Sequence, residues 1–111
     1  MPIKAKWIPF KKEIVEALAM KESGVYEIGK MQGDIVLYIG MSDTSIRSRL
    51  LTHTGETKFI GCTHFRKRTI NSDAGRAEDN LLEGYKKKNG KYPPLNKNKS
   101  TGGDPWKGIL Y

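Results

Sequence analysis

The sequence predicts a single small α/β domain, built on a β-hairpin that helices cover on both faces. Three observations lead there. Two short apolar runs, residues 24–29 and 34–40, flank a glycine-containing turn. Three other stretches repeat apolar residues at spacings of three and four, the period of an amphipathic helix. A chain of 111 residues suits one compact domain, spanning residues 1–111.

Taken in order, "PFKKEIVEALAM" opens with Pro9, which suits a first helical turn. Phe10, Ile14, Ala17 and Leu18 then fall on one stripe, so a helix is expected over residues 10–20. The hairpin follows. Centred on Gln32, it has a loop of Met31, Gln32 and Gly33 and sets Tyr26 opposite Tyr38. Ile28 and Val36 share that face, while Val25, Ile35, Leu37 and Ile39 take the other. Two apolar faces place the hairpin at the centre of its sheet. In "TSIRSRLLTH", Asp43 or Thr44 caps a helix whose inward face is Ile46, Arg49, Leu50 and His53. "TGETKFIGC" is loop-like. "THFRKRTI" alternates as a third strand over residues 63–70, with Arg66 and Arg68 on one side. The last helix has Ser72 or Asp73 as its cap, Ala74, Ala77, Leu81, Leu82 and Tyr85 as its stripe, and Asn89-Gly90 as its stop. The two prolines of "KYPPLNK" forbid its continuation. Residues 97–111 form a basic, glycine-rich tail, with Trp106 and Leu110 expected to dock back.

Leu, Ile, Val and Phe make up only about a fifth of the chain, close to the compositional edge of disorder, so the folding argument rests on pattern. Lys and Arg number 20 against 12 Asp and Glu, a net charge of +8 with a pI near 9.6. That balance fits a polyanionic partner (DNA, RNA or an anionic membrane surface) or a basic protein kept soluble by its charge, and basic residues near aromatics favour nucleic acid. A single cysteine, Cys62, excludes an intrachain disulfide and fits a reducing cytoplasm. It also excludes zinc sites of four cysteines or of two cysteines and two histidines, and His53 and His64 lack ligand spacing. No apolar run is long enough for a signal peptide or a membrane span.

Several residues sit oddly for a core. Glu78 falls within the apolar stripe of the last helix, where an unpartnered carboxylate costs several kcal/mol. It is either a stripe-edge glutamate reaching solvent or a lysine, or an oxygen ligand for a hard divalent cation. Arg49 lies between Ile46, Leu50 and His53 and is either a snorkelling or salt-bridged arginine or a phosphate clamp. Tyr26 and Tyr38 are ordinary strand tyrosines singly; paired across a hairpin, their hydroxyls converge where a proton can be taken or given. Gly40 is either a turn glycine or a gap through which a ligand approaches the backbone.

Together these residues resemble the GIY-YIG nuclease domain, over residues 24–96. "GVY" stands in the place of the first tripeptide, and "YIG" at 38–40 matches the second. "SIRSRLLTH" is similar to the family's arginine helix, and "AEDNLLEGYKKKNGKYPPLN" to its glutamate helix and proline-bounded asparagine. The fold implied is a small sandwich with a central, three-stranded, mainly antiparallel sheet flanked by helices. By resemblance, Tyr26 and Tyr38 hold or deprotonate the attacking water, and Arg49 steadies the scissile phosphate. Glu78 ligates Mg2+ or Mn2+, and Asn96 ties the following loop to the site. His53 matches a frequent histidine and serves as base or phosphate contact, unless it caps helix-end carbonyls. Arg47 is the competing arginine, but it falls off the Ile46–Leu50 face.

The function implied is metal-dependent endonucleolytic hydrolysis of DNA, in the cytoplasm or on the nucleoid. The alternatives are a catalytically silent nucleic-acid-binding module, or a nuclease subunit that needs a separate targeting protein. DNA, rather than RNA, is the expected partner. Arg66, Arg68, Lys86, Lys87, Lys88 and Lys91, with Lys97 and Lys99 of the tail, are the expected backbone contacts, and "KKKNGKY" reads as a DNA-contacting insertion.

Overall fold

The computed structural model describes residues 3, 5–19 and 21–96. Trp106, Leu110, Lys97 and Lys99 lie outside the described residues. Along the chain run β1 (Ile8–Pro9), α1 (Lys12–Leu18), β2 (Gly24–Lys30), β3 (Ile35–Ser42), α2 (Ile46–Thr54), β4 (His64–Thr69) and α3 (Ala74–Asn89). A single 3-10 turn, Thr57–Phe59, separates α2 from β4. The strands form one open antiparallel sheet in the order β1-β4-β2-β3.

The sheet therefore has four strands, not three. The extra one is two residues long, pairing Ile8 with Phe65 and Pro9 with His64, too short to leave a period. Pro9 does not start a helix: it sits in an edge strand, where a missing N–H costs no ladder bond. α1 begins only at Lys12 and turns a different face inward. Val15 and Ala19 are buried, whereas Ala17 and Leu18 are exposed. Only β2 of the hairpin is central, and its residues from Gly24 to Gly29 are all buried. β3 is an edge strand.

The hairpin register also differs from expectation. Tyr26 pairs with Gly40, and Tyr38 with Ile28. The loop is one residue longer than expected, ending at Asp34, whose φ of 52° follows Gly33 at 84°. A bulge then skips Leu37, so that Gly29 faces Val36. The extra residue breaks the alternation. Leu37 and Tyr38 both face one core, and Val36 joins Val25 and Ile39 in the other.

Those two cores fix the layers. On one face, Tyr26, Ile28 and Phe65 pack with Val15 and Ala19 of the α1 segment, Ile46 and Leu50 of α2, and Phe59. On the other, Val25, Val36 and Ile39 pack against Leu81 and Leu82 of α3, with Ile3. Helices thus cover both faces, as the hairpin's apolar pattern requires. The second face is not wholly apolar: Glu27, 1% exposed, accepts from Arg66 Nε at 2.6 Å, and Arg66 stacks over Trp7. α3 is capped by Asp73, whose side chain accepts from the Arg76 N–H, and ends at Gly90 in the left-handed region.

Candidate active site

The turn from β3 into α2 sets the site's geometry. Ser42 is buried, and its Oγ accepts from the N–H groups of Thr44 and Ser45 at 3.2 and 2.9 Å. The Ile46 N–H donates to the Glu22 carbonyl at 2.9 Å. Ser45, not Asp43 or Thr44, is the cap, accepting from the Ser48 N–H at 3.1 Å. α2 is thereby pinned in rotation, and Arg49 and His53, one turn apart, both address the hairpin.

His53 is 5% exposed. Its Nε2 lies 2.8 Å from the Tyr26 hydroxyl, and its Nδ1 2.6 Å from Glu56 Oε1. The Tyr38 and Phe59 rings close around it, at 5.3 and 4.6 Å between centroids. Tyr26 and Tyr38 are diagonal neighbours, with ring centroids 6.3 Å apart. Tyr26 is fully buried, while Tyr38 is half-buried. Arg49 is exposed, and its positive charge acts on both phenols. The charge of Tyr26 in its ionised form, more than that of Tyr38, raises the Arg49 pKa.

Electrostatics follow from this packing. Burial pushes Tyr26 far above the usual phenol value, with Tyr38 adding and Arg49 opposing. Burial also raises Tyr38, again against Arg49. Burial lowers the His53 pKa and favours the neutral imidazole, although Glu56 pulls the other way. Glu56, hydrogen-bonded by His53, is held below the usual carboxylate range.

Glu78 stands on the second turn of α3. It is half-buried and forms no hydrogen bond or ion pair among the described residues. Burial pushes its carboxyl up to about 7; neighbouring Asp79 adds to this, and the field of Arg49 opposes it. No group of three His, Cys, Asp or Glu side chains gathers among the described residues. A hard cation here would hold one carboxylate and fill its shell from water and phosphate oxygens, as Mg2+ readily does. An unpaired, destabilised carboxylate beside an arginine fits that donor set.

Of the sequence-predicted group, Tyr26, Tyr38 and His53 are in contact, while Arg49 and Glu78 lie within electrostatic range of the phenols. Gly40 has a different role from the expected gap for a ligand. It faces Tyr26, and the phenol ring takes the space where its side chain would be. Asn96 straps the edge of β3: its Oδ1 accepts from the Ile39 N–H at 2.8 Å, and its Nδ2 donates to the Ile39 carbonyl at 2.9 Å. Arg47 is two residues from Arg49, about 200° around α2 and so off its face.

The expected basic ridge does not form as a pair. Arg66 is 6% exposed and committed to Glu27 and Asp34, whereas Arg68 is exposed. Lys86, Lys87, Lys88 and Lys91 are exposed, and Lys86 lies over the Tyr92 ring. At 1.5 Å per residue, Lys86 sits about 12 Å beyond Glu78 along α3, so these lysines do not ring the phenols. Lys58 does stand there, its Nζ 5.1 Å from the centre of the Tyr38 ring. Sequence reasoning missed Lys58 and Glu56. The signal available for Glu56 was its place three residues after His53, across Gly55.

Among the described residues no helix is long and apolar enough to cross a membrane. Comparison of the chain with protein-family models, curated proteins and solved structures returns no match.

Proposed function

We propose that this protein is a divalent-metal-dependent endonuclease of the GIY-YIG type, hydrolysing DNA phosphodiester bonds. One observation carries the reading: β2, β3 and α2 pack two phenols and an imidazole together, and the charges of Arg49 on α2 and of the unpaired carboxylate Glu78 on α3 both act on those phenols.

Each group then has a task. Arg49, exposed at the surface, meets a phosphate first, and its planar fork suits a phosphorus centre gaining negative charge. Tyr38, the phenol nearer to solvent, orients the attacking water. Tyr26 takes the water's proton while His53 receives the phenol's own. Glu78 would hold a Mg2+ or Mn2+ ion, which when bound would supply Lewis-acid stabilisation of the phosphate charge and of the departing 3′ oxygen.

The test is nicking of supercoiled plasmid with Mg2+ or Mn2+. Glu78→Ala and Arg49→Ala should each slow it on the order of 10²-fold or more. Cleavage by both variants at the wild-type rate would sink the reading. A single-stranded RNA of matched sequence, offered in parallel, should survive.

A further inference from the structure

We propose that Glu56 is a positioning residue that fixes His53 in the one tautomer able to hold the Tyr26 proton. For cleavage this rests on the nuclease reading above; for the imidazole itself it does not.

Glu56 is anchored to the histidine it serves. Its N–H donates to the His53 carbonyl at 3.0 Å, and its carbonyl accepts from the Phe59 N–H at 3.1 Å. The Phe59 ring packs 4.6 Å from the imidazole. The carboxylate therefore meets Nδ1 at 2.6 Å from a main chain held at both ends.

Proton logic does the rest. An ionised carboxylate only accepts, so Nδ1 carries the hydrogen. In the neutral ring Nε2 is then a bare lone pair, 2.8 Å from the Tyr26 oxygen, and the phenol donates to it. The opposite tautomer would set the Nδ1 lone pair against a carboxylate oxygen at 2.6 Å, and Nε2–H would donate to the phenol. During hydrolysis the water's O–H bond breaks and a new O–H bond forms on Tyr26. The phenol's former proton passes to Nε2, the water oxygen bonds phosphorus, and the P–O3′ bond breaks. The 3′ oxygen takes a proton from solvent, and the imidazolium, paired with Glu56, later returns its proton by the same route. The charged or titratable groups facing His53 are Tyr26 from β2, Tyr38 from β3, Arg49 on its own helix, and Glu56 and Lys58 from the following turn; Glu78 from α3 acts on the phenols.

The tautomer can be read directly by long-range ¹⁵N–¹H NMR of the full chain without metal, His64 serving as internal control. The wild type should show Nδ1–H at His53. Glu56→Ala, which removes a side chain that is 43% exposed and outside both cores, should shift the ring toward Nε2–H and slow nicking on the order of tenfold or more. Glu56→Gln, whose amide oxygen still accepts, should keep the tautomer and recover part of the rate. An unchanged tautomer in Glu56→Ala overturns the proposal, as does wild-type nicking by that variant while Glu78→Ala is dead. A wild type that cuts nothing, but whose tautomer follows Glu56, defeats the nuclease reading and leaves the positioning role standing.

Discussion

Gly40 lies across the sheet from Tyr26, and a Cβ at residue 40 would come within 2.5 Å of the phenol's Cζ and hydroxyl oxygen. The ring has nowhere to go, being fully buried and bonded to His53. Gly40→Ala should therefore cost about 1–3 kcal/mol, the usual penalty for overpacking, and should loosen the Tyr26–His53 contact. Urea unfolding measures the first effect, as a lower midpoint at unchanged slope. A midpoint equal to wild type would mean that the ring has room the structure does not show.

Asn96 does for β3 what a neighbouring strand would do, satisfying the N–H and C=O of Ile39, while the Leu95 N–H donates to the Leu37 carbonyl at 2.8 Å. Asn96→Ala removes two hydrogen bonds, worth about 1–3 kcal/mol together. Hydrogen exchange is the sharper probe. The Ile39 amide should exchange faster in the variant, while amides of central β2 keep their protection. Unchanged exchange at Ile39 would show that the strap is incidental.

How much of this was legible beforehand differs between elements for physical reasons. α3 was readable almost to the residue, because its cap, stripe and glycine stop are all local signals. Glu78 and Arg49 were legible as residues in the wrong environment, since polar groups on an apolar stripe are conspicuous. The register was not. It depends on a bulge at Leu37 and on a turn ending at Asp34 with positive φ, neither of which leaves a period in the sequence. β1 was invisible because two residues cannot alternate. Arg66 was misread because its partners, Glu27 and Asp34, lie 39 and 32 residues away.

Arg66 and Arg68 should accordingly separate in mutagenesis. Arg66→Ala leaves Glu27 as an unpaired buried carboxylate and also removes the guanidinium stacked 4.2 Å from the Trp7 ring. Breaking such a pair costs about 3–5 kcal/mol, so this variant should unfold at much lower denaturant. Arg68→Ala should stay within about 0.5 kcal/mol of wild type. If Arg68 contacts a phosphate, the log–log salt slope of DNA affinity should become shallower by about 0.9 in that variant. Equal destabilisation by both changes would contradict the burial difference between them.

Glu78 yields a pH dependence whose sign is fixed. Its carboxyl titrates at about 7 in the folded chain against an ordinary value of 4.5. The native state therefore binds the proton more tightly than the unfolded state does. The penalty for ionising Glu78 is absent below the unfolded value, grows as pH rises between the two, and is complete above the folded value. Buried Glu27, also raised, acts in the same direction; His53, lowered, acts oppositely as pH rises toward its ordinary value of 6.5. Comparison with Glu78→Gln cancels both. Thermal melts between about pH 5 and about pH 8 should show the variant gaining on wild type as pH rises, ending with the higher Tm. Mg2+ at the upper pH should raise the wild-type Tm and leave that of Glu78→Gln unchanged, because only the carboxylate gains from a cation. Parallel melting curves with and without the carboxylate would mean that Glu78 is solvated in both states, and would remove the physical reason for placing a cation there.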